Sequence, residues 1–222
     1  MIIKMFLLHT VTSLVQVFKT LCDEVIPDVE IVNIIDESLL KDAITTGRLT
    51  PSIYRRVGQI VAMAQDARAD IVLLTCSSIS PCVDVVQKLV DIPVLKVDEP
   101  MVDKAVDLGN KIGVIATVVT TLKPTTDLVR SRALIKGKEV SVHSVLCEGA
   151  LVTLLAGNAV EHDTIVTKEL MKLMKEVDVV VLAQASMARV ANQIEERKVP
   201  ILSSPRLSVE RAKQVIDELK KV

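Results

Sequence analysis
The chain alternates short, continuous aliphatic runs with longer stretches of helical periodicity. Met1–Leu8 is strand-like, and the hydroxyl-rich turn Thr10–Ser13 leads into a helical pattern over Leu14–Val25. Pro27-Asp28 marks a turn, Glu30–Ile35 predicts a second strand ending at Asp36-Glu37, and residues 38–50 carry a less regular pattern that contains Gly47. Pro51-Ser52 opens a helix of about four turns that runs to Arg68. A strand at Asp70–Thr75 follows. Ser80-Pro81 supplies an N-cap and an N1 proline for a helix to Val90, Pro93–Val97 is another strand, and Glu99–Leu108 is a helix. The pattern then restarts, with strands at Lys111–Ala116, at Val140–Leu146, after Asp178 and after Pro200, and a last helix at Ser208–Lys221.

Two of these strands stand out. Asp70-Ile-Val-Leu-Leu-Thr-Cys76-Ser-Ser78 and Asp178-Val-Val-Val-Leu-Ala-Gln184-Ala-Ser186 are each an unbroken β-branched and leucine run, the pattern of a strand buried on both faces of a parallel sheet. Each breaks into small polar residues where an open α/β sheet presents its ligand site. They lie 108 residues apart, Cys76 to Gln184, and His9-Thr-Val-Thr12-Ser13-Leu14 matches Thr117-Val-Val-Thr120-Thr121-Leu122 at the same spacing. Glu37-Ser-Leu-Leu40 resembles Glu148-Gly-Ala-Leu151 with a slip of three, and Pro93 pairs with Pro200. A repeat this long is a small domain rather than a solenoid unit.

The expected fold is therefore α/β: two pseudo-symmetric three-layer α/β lobes with parallel sheets, residues 1–98 plus 206–222 and 99–205, with a ligand cleft between them. Composition agrees. Half of the 222 residues are apolar, yet the aromatics are only Phe6, Phe18 and Tyr54, so the core is aliphatic. Base stacking has no aromatic platform, and 27 basic against 28 acidic residues make no basic field, which argues against nucleic acid and anionic membranes as partners. No apolar run approaches the roughly 18 residues of a membrane helix. Four cysteines (Cys22, Cys76, Cys82, Cys147) are too few for a disulfide scaffold and have no zinc-ribbon spacing, so a soluble cytoplasmic protein without a metal is expected.

Chemistry concentrates at the strand ends. Backbone N–H groups in the turn after Cys76, with the helix start near Pro81, favour an anion, and would bind a carboxylate and lower the thiol pKa. Ser77 and Ser78 add donors, and Thr117, Thr120 and Thr121 form a second hydroxyl cluster. The same positions also suit a small buried cysteine and ordinary threonine caps. His9 closes the first strand, where a histidine is either a binding group or structural. Cys82 reads as packing, Cys147-Glu148 borders the cleft, and His143 alternates out of it. Gln184 donates and accepts hydrogen bonds but moves no proton at neutral pH.

The repeat, with Thr75-Cys76-Ser77-Ser78 after one Asp-led strand and a matching strand 108 residues on, resembles the aspartate/glutamate/hydantoin racemase family along essentially the whole chain. The resemblance implies a cofactor-independent enzyme in which two cysteines, one per lobe, act on opposite faces of an α-carbon; related enzymes keep one cysteine and decarboxylate or isomerise. It implies a catalytic role for Cys76, with Gln184 in the second cysteine's place. Ser77, Ser78 and Thr117–Thr121 would grip the substrate carboxylate. Ala185-Ser186 stands where the amino-acid racemases usually have Thr-His, and His9 falls near an acidic residue of the family. The expected ligand is a small carboxylate or amino acid, with no cofactor and a homo-oligomer, a dimer, as the assembly.

Overall fold
The computed structural model describes residues 2–194 and 199–221; Met1 of the first expected strand lies outside them. Two compact units result, one formed by Met1–Val97 with Pro205–Val222, the other by Asp98–Ser204. The first unit contains β1 (Lys4–His9), α1 (Ser13–Val25), β2 (Glu30–Ile35), α2 (Glu37–Thr46), α3 (Pro51–Asp66), β3 (Ile71–Leu74), α4 (Val83–Val86) and β4 (Val94–Lys96). The second contains α5 (Glu99–Leu108), β5 (Lys111–Ala116), α6 (Val119–Ile135), β6 (Ser141–Leu146), α7 (Ala150–Leu155), α8 (Ala159–Leu173), β7 (Val179–Leu182), α9 (Ala188–Asn192) and β8 (Ile201–Ser203). The last helix, α10 (Ser204–Leu219), belongs almost entirely to the first unit.

Each unit is one four-stranded, wholly parallel sheet flanked by helices, in the orders β2-β1-β3-β4 and β6-β5-β7-β8. The two central strands of each sheet are buried on both faces, as their unbroken aliphatic runs require. In the first unit Phe6, Leu8, Val72 and Leu74 meet Leu39 and Ala43 of α2 and Ile53, Val57 and Val61 of α3. Side chains alternate along a strand, so Met5, Leu7, Ile71 and Leu73 point to the opposite face, where they are also fully buried. In the second unit Ile115, Val180 and Leu182 meet Val166, Leu170 and Leu173 of α8.

Register is pinned at the amino ends by the aspartates that open β3 and β7. The Asp70 carboxylate accepts the Lys4 N–H at 2.7 Å, and the Asp70 N–H donates to the Lys4 carbonyl at 2.8 Å. Asp178 repeats both bonds on Lys111 and also accepts the Asn110 N–H at 3.0 Å. Those backbone donors hold the Asp178 carboxyl below its ordinary pKa.

Three local expectations are corrected. Residues 38–50 are mostly helical: Asp36 caps α2 by accepting from the Ser38 N–H at 3.0 Å, and Gly47 ends it at φ +66°, a left-handed conformation suited to glycine. The helix expected over Ser80–Val90 is a 3-10 turn, Ser80–Cys82, followed by the single turn α4; Ser80 caps nothing, and its buried hydroxyl finds no partner among the described residues. By strand register, the repeat offset at β1 and β5 is 107 residues, Met5 to Ile112, against 108 at β3 and β7, Ile71 to Val179. The counterpart of Thr117 is therefore Thr10, not His9.

Gly113 lets α8 approach β5: an added Cβ would lie 2.8 Å from the Leu173 side chain. Gly113→Ala should lower the unfolding free energy by about 1–3 kcal/mol, the cost of overpacking a close-packed core, measured by urea denaturation. Unchanged stability would show that Leu173 moves aside without cost.

Candidate functional site
The last paired residues of the central strands are Leu8 with Leu74 in the first unit and Ile115 with Leu182 in the second. Two residues further on, the same register brings Thr10 beside Cys76 and Thr117 beside Gln184. The contacts follow from it. The Thr10 hydroxyl favours the Cys76 thiolate, and its buried oxygen completes no hydrogen bond of ordinary geometry among the described residues. The Gln184 Oε1 accepts from the Thr117 N–H at 2.6 Å and the Thr117 Oγ1 at 2.9 Å. The two units thus set the same threonine beside different side chains.

Cys76 is half-buried, within a run from Ile71 to Ser80 whose other members are all buried. Burial pushes its thiol above the ordinary pKa, and this corrects the lowered value expected from the turn. Four donors act against burial: the Thr10 and Ser78 hydroxyls and the Ser78 and Ile79 amides. Each stabilises the thiolate once it forms. The other cysteines are core residues. Burial raises Cys22 to about 11 and both Cys82 and Cys147 to about 12. Cys147, expected at the cleft border, packs instead with Ile115 and Ala150.

Because an N–H can only donate, the bond from Thr117 fixes which end of the Gln184 amide is oxygen. The Nε2 end makes no hydrogen bond to the described residues and is a donor available to a ligand. Gln184, Ala185 and Ser186 are all half-exposed, the last two in a 3-10 turn, Ala185–Met187. The other hydroxyls at the strand ends are of both kinds. Ser78 and Thr121 are buried and engaged, whereas the buried Ser77 and Thr120 hydroxyls have no partner among the described residues. Unsatisfied buried hydroxyls are rare in folded proteins, and a bound polar molecule is one way to satisfy them.

His9 is placed differently. It is fully buried, with Nδ1 2.9 Å from Thr75 Oγ1, Nε2 2.9 Å from Asn33 Oδ1, and its ring edge-on to Phe18. Burial lowers its pKa despite the bond to Asn33, so the ring is neutral at pH 7. Both nitrogens are occupied within the first unit. His9 braces Thr75, the residue before Cys76. His143, on β6, is exposed. Among the described residues no group of three or more His, Cys, Asp or Glu side chains could hold a metal ion. Among them, too, no helix is long and apolar enough to cross a membrane.

The model of the Asp/Glu/hydantoin racemase family matches residues 4–212. The chain belongs to that family. Membership places it among racemase-type isomerases. A comparison by sequence with characterised proteins finds no match. Solved structures carry the same fold. A glutamate racemase isoform from Bacillus anthracis superimposes with a TM-score of 0.77 at 18% identity, covering 97% of this chain and 82% of that one. The glutamate racemase of Francisella tularensis, solved with D-glutamate, gives 0.75 at 16%, with 98% and 82% covered. Allantoin racemase from Klebsiella pneumoniae gives 0.71 at 15%, with 97% and 88% covered.

Thr10 is the site residue that sequence reasoning missed. The signal lay in the spacing: at 107 residues it is the repeat partner of Thr117, whereas a uniform 108 matched it with Val118.

Iodoacetamide should modify Cys76 before Cys22, Cys82 or Cys147, as peptide mapping of the folded protein would show. A raised pKa means that the rate grows with pH through and beyond the ordinary thiol range. Thr10→Val, which removes one donor to the thiolate, should shift that profile to still higher pH. Earlier labelling of any other cysteine would contradict the assignment.

Proposed function
We propose that the chain is a cofactor-independent racemase/isomerase-type enzyme acting at the α-carbon of a small carboxylic or amino acid, with Cys76 as the thiolate base or nucleophile and Gln184 replacing the second cysteine. The observation that carries this reading is the repeated placement of a threonine at the strand end, beside a thiol in one unit and hydrogen-bonded to an amide in the other. In this reading Cys76 Sγ takes the α-proton of the bound acid. Negative charge then spreads onto the carboxylate as an enolate-like intermediate. The Gln184 Nε2 donor and the hydroxyls of Ser77 and Thr120 stabilise it, Thr117 orients the Gln184 amide, Ser78 acts on the Cys76 thiolate, Thr121 and the backbone turn at Ala185-Ser186 shape the ligand's surroundings, and His9 keeps Thr75 in place. An amide cannot return a proton from the opposite face, so transfer is one-sided.

A second reading of the same site is favoured by the raised thiol pKa. A cysteine held mainly as the neutral thiol is suited to deliver a proton. In a decarboxylation the C–C electron pair would pass to the α-carbon as carbon dioxide leaves, and Cys76 would protonate that carbon. A catalytically inactive small-acid binder remains the alternative outside enzymes.

In deuterium oxide the wild-type protein should exchange the α-hydrogen of an accepted acid, followed by proton NMR. Cys76→Ser should reduce exchange to background, and Gln184→Ala should slow it about 100-fold through the loss of one charge-stabilising donor. Exchange that persists in Cys76→Ser would remove the thiol from the mechanism. Ligand-induced thermal stabilisation without turnover of any acid would favour the inactive binder.

A further inference from the structure
We propose that His9 and Thr75 are positioning residues for Cys76: their side-chain hydrogen bond clamps the ends of β1 and β3, so that neither Thr10 nor the thiol has to hold the chain. The proposal deepens the reading of Cys76 given above and rests on it. It comes from comparing the two units, each taken by itself. By register, the residues after Leu8 and Leu74 are His9 and Thr75, and those after Ile115 and Leu182 are Ala116 and Ala183. All four are buried. The backbone bond at this level is the same in both units: the Thr75 N–H donates to the Leu8 carbonyl at 3.0 Å, and the Ala183 N–H to the Ile115 carbonyl at 3.0 Å. The fold therefore closes this strand end with two alanines. Burying an imidazole and a hydroxyl costs desolvation that their hydrogen bonds offset. The first unit nonetheless carries both, in a chain across three strands. Asn33 Oδ1 on β2 lies 2.9 Å from His9 Nε2, His9 Nδ1 lies 2.9 Å from Thr75 Oγ1, and the Thr75 hydroxyl also faces the Leu8 carbonyl at 3.0 Å. Ser144, the counterpart of Asn33, bonds to Thr126 instead, at 2.9 Å.

The next residue along each strand gives the reason. In the second unit the Gln184 amide ties the strand ends itself, accepting from the Thr117 N–H and hydroxyl. In the first unit a thiol stands at that place, and the Thr10 oxygen completes no hydrogen bond of ordinary geometry among the described residues. A thiol is a weak hydrogen-bonding group, and one that held the chain would not be free to exchange its proton. The clamp therefore lies one residue earlier. Asn33 and the edge contact with Phe18 fix the plane of the His9 ring, which burial keeps neutral. The His9 backbone leads directly into Thr10 and the Thr75 backbone into Cys76, so the clamp sets the distance between the thiol and its hydroxyl donor. That distance in turn bears on the pH at which the thiolate forms.

The test gives the first unit the second unit's residues: His9→Ala together with Thr75→Ala. Folding is read by circular dichroism and thermal unfolding, the pH dependence of Cys76 alkylation by iodoacetamide with peptide mapping, and α-hydrogen exchange of an accepted acid by NMR in deuterium oxide. The double variant should fold, its Cys76 profile should move to higher pH by about half a pH unit or more, and exchange should fall about tenfold. His9→Asn, which places a polar atom where Nδ1 stands, should keep the wild-type profile, whereas His9→Ala should shift it. A folded double variant with the wild-type profile would overturn the proposal, because the pair would then only fill space. A His9→Asn profile shifted as far as that of His9→Ala would overturn it as well. So would loss of folding in the double variant, because the fold itself would then need the pair. A shifted profile in a protein whose wild type exchanges no acid would uphold the positioning role and remove the reading of Cys76 as base.

Discussion
The pairing of the two central strands in each unit is the constraint from which the rest follows. Parallel strands buried on both faces have no room for chemistry along their length, so polar groups collect at their carboxyl ends. The aspartates that open β3 and β7 hold the neighbouring strand starts by backbone hydrogen bonds. With the starts fixed, the ends are fixed too, and Thr10 meets Cys76 as Thr117 meets Gln184. A shift of one residue in either strand would turn these side chains to the other face and dismantle the contact.

Against that shared frame the chemistry is unequal. The first unit offers a half-buried thiol surrounded by four donors, and burial holds it in the neutral form. The second offers an amide whose oxygen is already taken. Opposing desolvation and hydrogen bonding set the thiol's poise: removal of donors raises its pKa further, and a negatively charged ligand nearby does the same. The proposed chemistry assigns proton transfer to the thiol and charge stabilisation to the amide. Family membership supplies the scaffold for α-carbon chemistry, while the residues at 76 and 184 supply its asymmetry.

Much of this was legible in the sequence because buried parallel strands are unbroken aliphatic runs. The runs at Ile71–Leu74 and Val179–Leu182 revealed both sheets, and the matched strand ends revealed Cys76 and Gln184 as equivalents. Short polar contacts were not legible. The region 38–50 looked irregular because its apolar positions are few, yet one aspartate cap and one left-handed glycine suffice to delimit α2. Ser80-Pro81 promised a long helix, but only one α-helical turn follows the 3-10 start, before the chain bends back toward β4. The thiol pKa was misjudged because turn amides can be counted in a sequence and burial cannot. Thr10 escaped because a one-residue change of offset is invisible without strand pairing.

The central claim is that proton transfer is one-sided. Its most direct measurement is the configuration of an accepted acid recovered after exchange in deuterium oxide, resolved by chiral chromatography with mass detection. One-sided transfer predicts that a single enantiomer returns labelled with its configuration retained, and that Gln184→Cys begins to produce the opposite enantiomer. Inversion by the wild-type protein at the same rate as label uptake would contradict it, because a second proton carrier besides Cys76 would then be at work.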